Sequence, residues 1–308
     1  MKRFVVKFFL LLVPVVLLFL LANMLYEKTN YWKSKDYANK YTDAPYDIEL
    51  GCFGSSIPCY AFKFDVVPEI KAWNFANVTE VFIWSYRVLK NYINHFSKNS
   101  VIIMDLPCVA FDRQISTTFR ERYYRVLPKE DMDKWVFTEW LAYSKFPFLT
   151  AGKDKMRIFK DISKEEMSPY YDRDEPMSEA ELKAFAENAY QALQNSEPVA
   201  VQSNFDNISA IIDLCYDYGA IPVVVSCPVS VSVLKTYSRD PTFFDRFDAF
   251  TKQVREKYPN LLYLDYSRDE DFINDHNYFK DAMHMSNAGA EKFTLKLVGD
   301  LRARGLIK

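Results

Sequence analysis

Four short apolar runs, each cut off by a turn residue and each separated from the next by helical segments, limit what this chain can become. Ile48–Phe53 stops at Gly54, Val101–Leu106 at Pro107 and Ile221–Cys227 at Pro228; Leu261–Tyr266 is the fourth. A shorter extended piece is expected at Ala72–Phe75. Strands that are apolar at nearly every position are covered on both faces, which parallel sheets achieve through helical crossovers. The intervening sequence supplies those helices. Ile57–Ile70 follows the first strand, with Pro58 tolerated in the first turn. Val81, Trp84, Val88, Leu89, Tyr92 and Ile93 share one face of a helix over Val81–Phe96. Ile208, Ile211, Ile212 and Cys215 line a helix ending near Gly219, Phe243–Val254 forms another, and Ala290, Phe293, Leu297 and Leu301 mark the last, Ser286–Leu301. The expected fold class is α/β: a three-layer α/β/α sandwich with a mostly parallel sheet and a helical insertion.

The insertion is expected at about 111–199, a charge-rich stretch too long for a loop and without a linker at either end. Ser178 and Glu181 form a capping box ahead of Leu182, Phe185, Ala186, Ala189, Tyr190 and Leu193 at helical spacing. Trp135, Phe137, Trp140, Tyr143, Phe146 and Phe148 concentrate in the same stretch. Their rings suit either stacking on sugar faces or packing of the insertion onto the sheet.

Residues 1–26 read as a transmembrane anchor. Lys2, Arg3 and Lys7 precede an apolar run from Phe8 to Leu25 broken only by Pro14 and Asn23. About 18 helical residues span roughly 27 Å, close to the hydrocarbon core of a bilayer. The basic flank places the N-terminus inside and the remainder outside the cytoplasm. Leu20, Leu21, Asn23 and Met24 are too bulky for a cleavage site, so the anchor is expected to be retained, with a cleaved signal as the alternative. Residues 27–46 form a stalk, and 47–308 the α/β domain.

A formal net charge of −2 gives no electrostatic basis for a nucleic-acid partner. The five cysteines, Cys52, Cys59, Cys108, Cys215 and Cys227, are odd in number and mostly fall on apolar positions, as buried small hydrophobes do. A Cys52–Cys59 or Cys59–Cys108 bridge stays open. No Cys/His spacing matches a metal site, and neither metal nor organic cofactor is called for.

Ligand sites of parallel α/β sheets lie at the carboxyl ends of the strands, and Gly54-Ser55-Ser56 sits there. A serine hydroxyl needs a base within hydrogen-bond reach to attack a carbonyl, and the base needs a carboxylate to fix its tautomer. Ser56 is the candidate nucleophile, and its backbone N–H a candidate oxyanion donor. A helix N-cap is the plainer role for Ser55 or Ser56. Only His95, His276 and His284 can supply an imidazole. His284 has Asp281 three residues before it, a spacing that lets both lie on one side of a turn, and a helix start nearby that disfavours the charged ring. His276 is the rival base.

The order strand–Gly-x-Ser first, Asp-x-x-His last, on an α/β sheet resembles the SGNH/GDSL hydrolase superfamily, whose sheet is flavodoxin-like. Glu49–Phe62, ELGCFGSSIPCYAF, and Tyr278–Thr294, YFKDAMHMSNAGAEKFT, carry the likeness. The second resembles the ending Asp-x-x-His-(Leu/Met)-x-x-x-Gly of a membrane-anchored branch concerned with cell-envelope polymer O-acylation, including alginate acetylation and teichoic-acid D-alanylation proteins. The resemblance covers most of 47–110 and 200–305. It implies a catalytic triad of Ser56, His284 and Asp281. From Asn74-Phe75-Ala76-Asn77, where the family has its second motif, it implies an oxyanion donor at the Ala76 N–H. The chain departs from the pattern twice: Ala76 replaces a glycine, and Pro107-Cys108-Val109 stands where the family's third motif has an asparagine. Asn77 is the candidate replacement donor.

The resemblance thus implies an extracytoplasmic, membrane-anchored serine esterase or O-acyltransferase. Its substrates would be small acyl esters of cell-envelope polysaccharide. The alternative is a non-catalytic envelope protein that keeps the scaffold and binds glycan or a membrane-bound acyltransferase partner.

Overall fold

A computed structural model describes residues 2–30, 32, 39–78, 80, 82–112, 117–159, 176–194 and 201–308. Val81 of the expected helix face, most of 31–38 in the stalk, and 113–116, 160–175 and 195–200 of the expected insertion lie outside the described residues. The chain divides into two compact units. One comprises Met1–Asp43 with Thr117–Tyr170, the other Ala44–Ser116 with Tyr171–Lys308, so the division runs through the stretch expected as one insertion.

The second unit is the α/β domain. Its five strands are β1 (Ile48–Phe53), β2 (Ala72–Asn74), β3 (Phe96–Asp105), β4 (Ile221–Ser226) and β5 (Leu262–Asp265). They pair in the order β2-β1-β3-β4-β5, all parallel. In this order the chain reverses direction between β1 and β3, and the crevice beyond their carboxyl ends is where such sheets bind ligands. Phe53 pairs with Met104 at the end of the β1–β3 ladder, which sets Gly54 beside Asp105.

The longer helices are α2 (Ser56–Ala61), α3 (Phe82–Tyr92), α4 (Glu179–Gln194), α5 (Val201–Tyr218), α6 (Val231–Tyr237), α7 (Phe243–Lys257) and α8 (Asn287–Ala303). α3 packs on α5 and α5 on α7, while α2 packs on α8. By the right-handed rule for parallel crossovers, this strand order puts these two groups on opposite faces of the sheet. Ile103, Val223 and Val225 are fully buried between the layers, and Phe62 stacks on Phe293 of α8 with centroids 5.5 Å apart. Each such side chain contributes on the order of 2 kcal/mol by leaving water.

Several boundaries differ from expectation. The helix expected over Ile57–Ile70 ends at Ala61, and a 3-10 turn over Phe64–Val66 follows. Asn74 Nδ2 donates to the carbonyls of Pro58, Cys59 and Phe62, satisfying the helix end from β2, and Pro68 disfavours helical backbone at Val67. The helix expected to reach Phe96 stops at Tyr92, and β3 begins at Phe96, earlier than Val101, because its first residues extend past the apolar run. The capping box forms as read: Ser178 Oγ receives the Glu181 N–H and Glu181 receives the Ser178 N–H. All five cysteines are free and buried.

The first unit is built on α1 (Lys2–Glu27), whose Leu10–Glu27 stretch is long and apolar enough to cross a membrane, a property a signal sequence shares. Residues 117–159 form short helical turns, the last being 3-10 turns at Pro147–Thr150 and Gly152–Phe159. Arg120 and Tyr124 both bond the Glu139 carboxylate, and Trp135 packs against Tyr124 and Trp140. Phe146 packs on Phe19 of α1 at 5.4 Å. Packing within the unit therefore accounts for much of the aromatic cluster.

Candidate active site

Ser55 is the N-cap of α2 and Ser56 its first residue; Ser55 Oγ accepts the Ile57 N–H at 3.4 Å. The capping role and the candidate nucleophile thus fall on adjacent serines. Gly54 makes the turn between β1 and α2 with φ at +142°, and a Cβ there would lie 2.8 Å from both Asp105 Cβ and Pro58 Cγ. No side chain fits that backbone or that space.

The other half of the site is a two-strand ribbon, β6 (Phe279–Asp281) and β7 (His284–Met285), with Asp281 paired to His284. Asp281 Oδ1 accepts the main-chain N–H groups of Met283 and His284, both at 3.0 Å, and His284 Nδ1 lies 2.8 Å from Asp281 Oδ2. Burial alone would raise the Asp281 pKa. The imidazole and the two N–H groups outweigh it and hold the carboxyl below its ordinary value. An ionised carboxylate only accepts, so Nδ1 carries a hydrogen, and in the neutral form of an imidazole the other nitrogen, Nε2, is then the acceptor. That Nε2 lies 2.7 Å from Ser56 Oγ. The His284 and Asp281 side chains are 17% and 11% exposed.

Two further side chains flank the imidazole. Tyr60, one helical turn after Ser56, meets the His284 ring edge-to-face at 5.1 Å, and Lys280 Nζ lies 3.9 Å over the Tyr60 ring. The i, i+4 spacing from Ser56 and the adjacency of Lys280 to Asp281 are the sequence signals for them. His95 and His276 are placed elsewhere. His95 Nδ1 contacts the Pro45 carbonyl at 3.0 Å, and His276 lines a separate recess with Lys183, Ser230 and Lys235.

The expected oxyanion donors are arranged unequally. Among the described residues the Ser56 N–H, at the first position of α2, has no acceptor. The Ala76 N–H is already donated to Asn74 Oδ1 at 3.0 Å, and Ala76 is fully buried. Asn77 is fully buried as well; its N–H bonds the Gly54 carbonyl at 2.9 Å and its Oδ1 receives the Val78 N–H at 2.8 Å. The segment 75–77 therefore extends the ladder beside the nucleophile turn. At the third-motif position Cys108 is buried, and its thiol is pushed up to about 12, first by burial and then by the nearby Asp265 and Asp105 carboxyls.

Asp105, the last residue of β3, lies inside the apolar run Val101–Leu106, where no sequence motif marks it. It is fully buried, with Cys227 and Ser55 as the polar groups that favour its charged form, and neither carboxyl oxygen makes a well-formed hydrogen bond among the described residues. Burial pushes its pKa up to about 7. Among the described residues no group of three or more His, Cys, Asp or Glu side chains is arranged to hold a metal ion.

No family model matches this chain, and no curated protein matches it. Solved structures do resemble it. A candidate acylhydrolase from Bacteroides fragilis NCTC 9343 is 10% identical, with 88% of this chain and 96% of that one covered and a TM-score of 0.45. A candidate platelet activating factor from Streptococcus pneumoniae is 13% identical, with 93% and 99% covered and a TM-score of 0.43. A GDSL-like lipase from Bacteroides thetaiotaomicron VPI-5482 is 10% identical, with 88% and 98% covered and a TM-score of 0.42. At these identities and TM-scores the likeness decides nothing about activity.

Proposed function

We propose that the protein is a serine-dependent esterase or O-acyltransferase, with Ser56 as nucleophile, His284 as general base and Asp281 as the group that orients the imidazole. The supporting observation is the unbroken hydrogen-bond chain from Ser56 Oγ through the two nitrogens of His284 to Asp281, at 2.7 and 2.8 Å.

In this reading His284 Nε2 takes the hydroxyl proton as Ser56 Oγ attacks the ester carbonyl. Asp281 stabilises the imidazolium that results. Negative charge builds on the carbonyl oxygen, and the Ser56 N–H donates to it. The imidazolium returns its proton to the leaving alcohol as the C–O bond breaks, leaving an acyl group on Ser56. Water or a sugar hydroxyl then attacks, losing its proton to His284, and Ser56 is released. Hydrolysis and transfer differ only in that second acceptor.

The oxyanion side is the weak side of the site. Ala76 N–H donates to the developing charge only if it leaves or shares its bond to Asn74 Oδ1. One missing donor costs about 10²–10³ in rate, so slow turnover or a specialised acceptor is expected. Small acyl esters of cell-envelope polysaccharide are the proposed substrates, from the resemblance in the end motifs. The basic N-terminal flank followed by α1 supports an anchored protein with its α/β domain outside the cytoplasm.

The occupied Ala76 N–H favours a second reading, a non-catalytic scaffold that binds glycan or a membrane acyltransferase. A fluorophosphonate probe separates the two. Labelling of the purified full chain in detergent, abolished by Ser56→Ala with an unchanged melting temperature, is expected of the enzyme. A folded wild-type chain that takes no label leaves the scaffold reading.

A further inference from the structure

Outside α1, four of the eight large exposed apolar side chains among the described residues fall in one short stretch. Phe137, Leu149, Met156 and Phe159 are 63%, 50%, 63% and 75% exposed, all within 23 residues of chain that hold no β-strand. A water-soluble surface rarely carries such a concentration without a partner.

The same stretch is fastened to α1. Phe146 and Phe148 pack against Phe19 at 5.4 and 6.2 Å, and Phe148 also meets Tyr26 at 6.0 Å. Asn23, the polar residue that interrupts the apolar run, is buried here. Its Oδ1 accepts the Phe148 N–H at 3.1 Å and its Nδ2 donates to the Lys145 carbonyl at 3.4 Å. Pro147, between them, has no N–H to satisfy. Non-helical backbone is tolerated at membrane depth only where its polar groups are met by protein, and Asn23 meets them.

Depth follows from helix geometry. At 1.5 Å per residue, Asn23 lies roughly 6 Å and Phe19 roughly 12 Å before the end of α1 at Glu27. Interfacial segments bury their apolar faces about 5–10 Å into the boundary between headgroups and acyl chains. The charges fit the same level. Lys145, Lys153, Lys155 and Arg157 outnumber Glu139 and Asp154 in residues 137–159. Lys145 and Lys155 lie over the rings of Trp140 and Phe148 at 5.7 and 5.4 Å, an aromatic–cation arrangement suited to a headgroup layer.

We infer that residues 137–159 form a membrane-interfacial collar around the outer end of α1, with Phe137, Leu149, Met156 and Phe159 immersed at the acyl boundary and the basic side chains at anionic headgroups. This rests on α1 being a membrane helix, as proposed above. It gives the aromatic-rich stretch a lipid partner instead of a glycan.

The test measures depth, since α1 alone would keep any variant on the membrane. The five native cysteines are buried, so single spin labels can be placed at Met156→Cys, Phe159→Cys, Leu17→Cys and Glu256→Cys of the full chain. The variants are reconstituted in vesicles of phosphatidylcholine and phosphatidylglycerol at 3:1. Labels at 156 and 159 are expected to collide with dissolved oxygen several-fold more, relative to a water-soluble nickel chelate, than the label at 256. Equal nickel access at 156, 159 and 256, with 17 immersed, overturns the collar and leaves the anchor standing. Nickel access at 17 overturns both. Labels at 156 and 159 that stay in water until a soluble polysaccharide shields them overturn the lipid in favour of a glycan.

Discussion

His284 Nε2 and Ser56 Oγ lie 2.7 Å apart although 228 positions separate them in the chain. The contact requires β1 to end at the sheet's switch point and the β6–β7 ribbon to fold back over it. Asp281 fixes the orientation of the ring through Nδ1. Asp281→Asn is expected to lower kcat/KM by about 10³–10⁴, because the amide can favour the wrong tautomer. Circular dichroism would report an unchanged fold. The stabilisation from the wild-type carboxylate is complete above the ordinary carboxylate range and is lost as pH falls through its lowered folded value. The variant should therefore melt less pH-dependently in acid. Undiminished ester hydrolysis by Asp281→Asn would remove Asp281 from the mechanism.

Gly289 sits in the first turn of α8, where a Cβ would lie 2.2 Å from the Tyr278 carbonyl oxygen. Ser286 N–H bonds that same carbonyl, and Ser286 Oγ bonds the Asn277 carbonyl. The glycine lets α8 press against the main chain that leads into β6. Gly289→Ala must push the ribbon away, costing about 1–3 kcal/mol and moving His284 off Ser56. Loss of fluorophosphonate labelling beyond the loss of folded protein is the expected reading. A variant that labels at the wild-type rate would show that the ribbon does not depend on this approach.

Asp105 makes a prediction of opposite sign to Asp281. Its folded pKa is raised to about 7 by burial, so the folded state holds a proton that the unfolded chain releases near pH 4. Its stabilising contribution is complete below the ordinary carboxylate range and is lost as pH rises to about 7. Asp105→Asn removes that penalty. The variant should match wild type near pH 4 and exceed its stability at pH 8 by an amount on the order of 3–4 kcal/mol at most. Parallel denaturant curves at both pH values would refute a neutral buried acid.

Asn23→Ala deprives the Phe148 N–H and the Lys145 carbonyl of their partner on α1, at a cost of about 1–3 kcal/mol for each group left unsatisfied. Hydrogen exchange in detergent should speed up over residues 145–149 and stay unchanged in β3 and β4. Unaltered protection at Phe148 would mean that Asn23 does not hold the segment.

The sheet was legible because its signal is local and redundant. Val223-Val224-Val225 gains by leaving water, and the strand stops before Pro228. Boundaries were less legible where a distant residue sets them. α2 ends at Ala61 because Asn74, from the next strand, takes its terminal carbonyls. The same holds for the site. Ser56, His284 and Asp281 are visible as a spacing, yet the bond from Ala76 N–H to Asn74 Oδ1 and the full burial of Asp105 depend on packing that no window of sequence contains.

The amino-acid order by itself determined which segments must leave water and which short motifs bend or cap the chain, since those follow from side-chain chemistry and neighbours a few positions away. Tertiary structure alone decided what those segments meet: an imidazole against a hydroxyl, a carboxyl sealed beside a thiol, an asparagine of the apolar helix answering the backbone of a segment more than a hundred positions later. Such meetings are fixed by chain topology and close packing, which act over distances in space that separation along the chain does not measure.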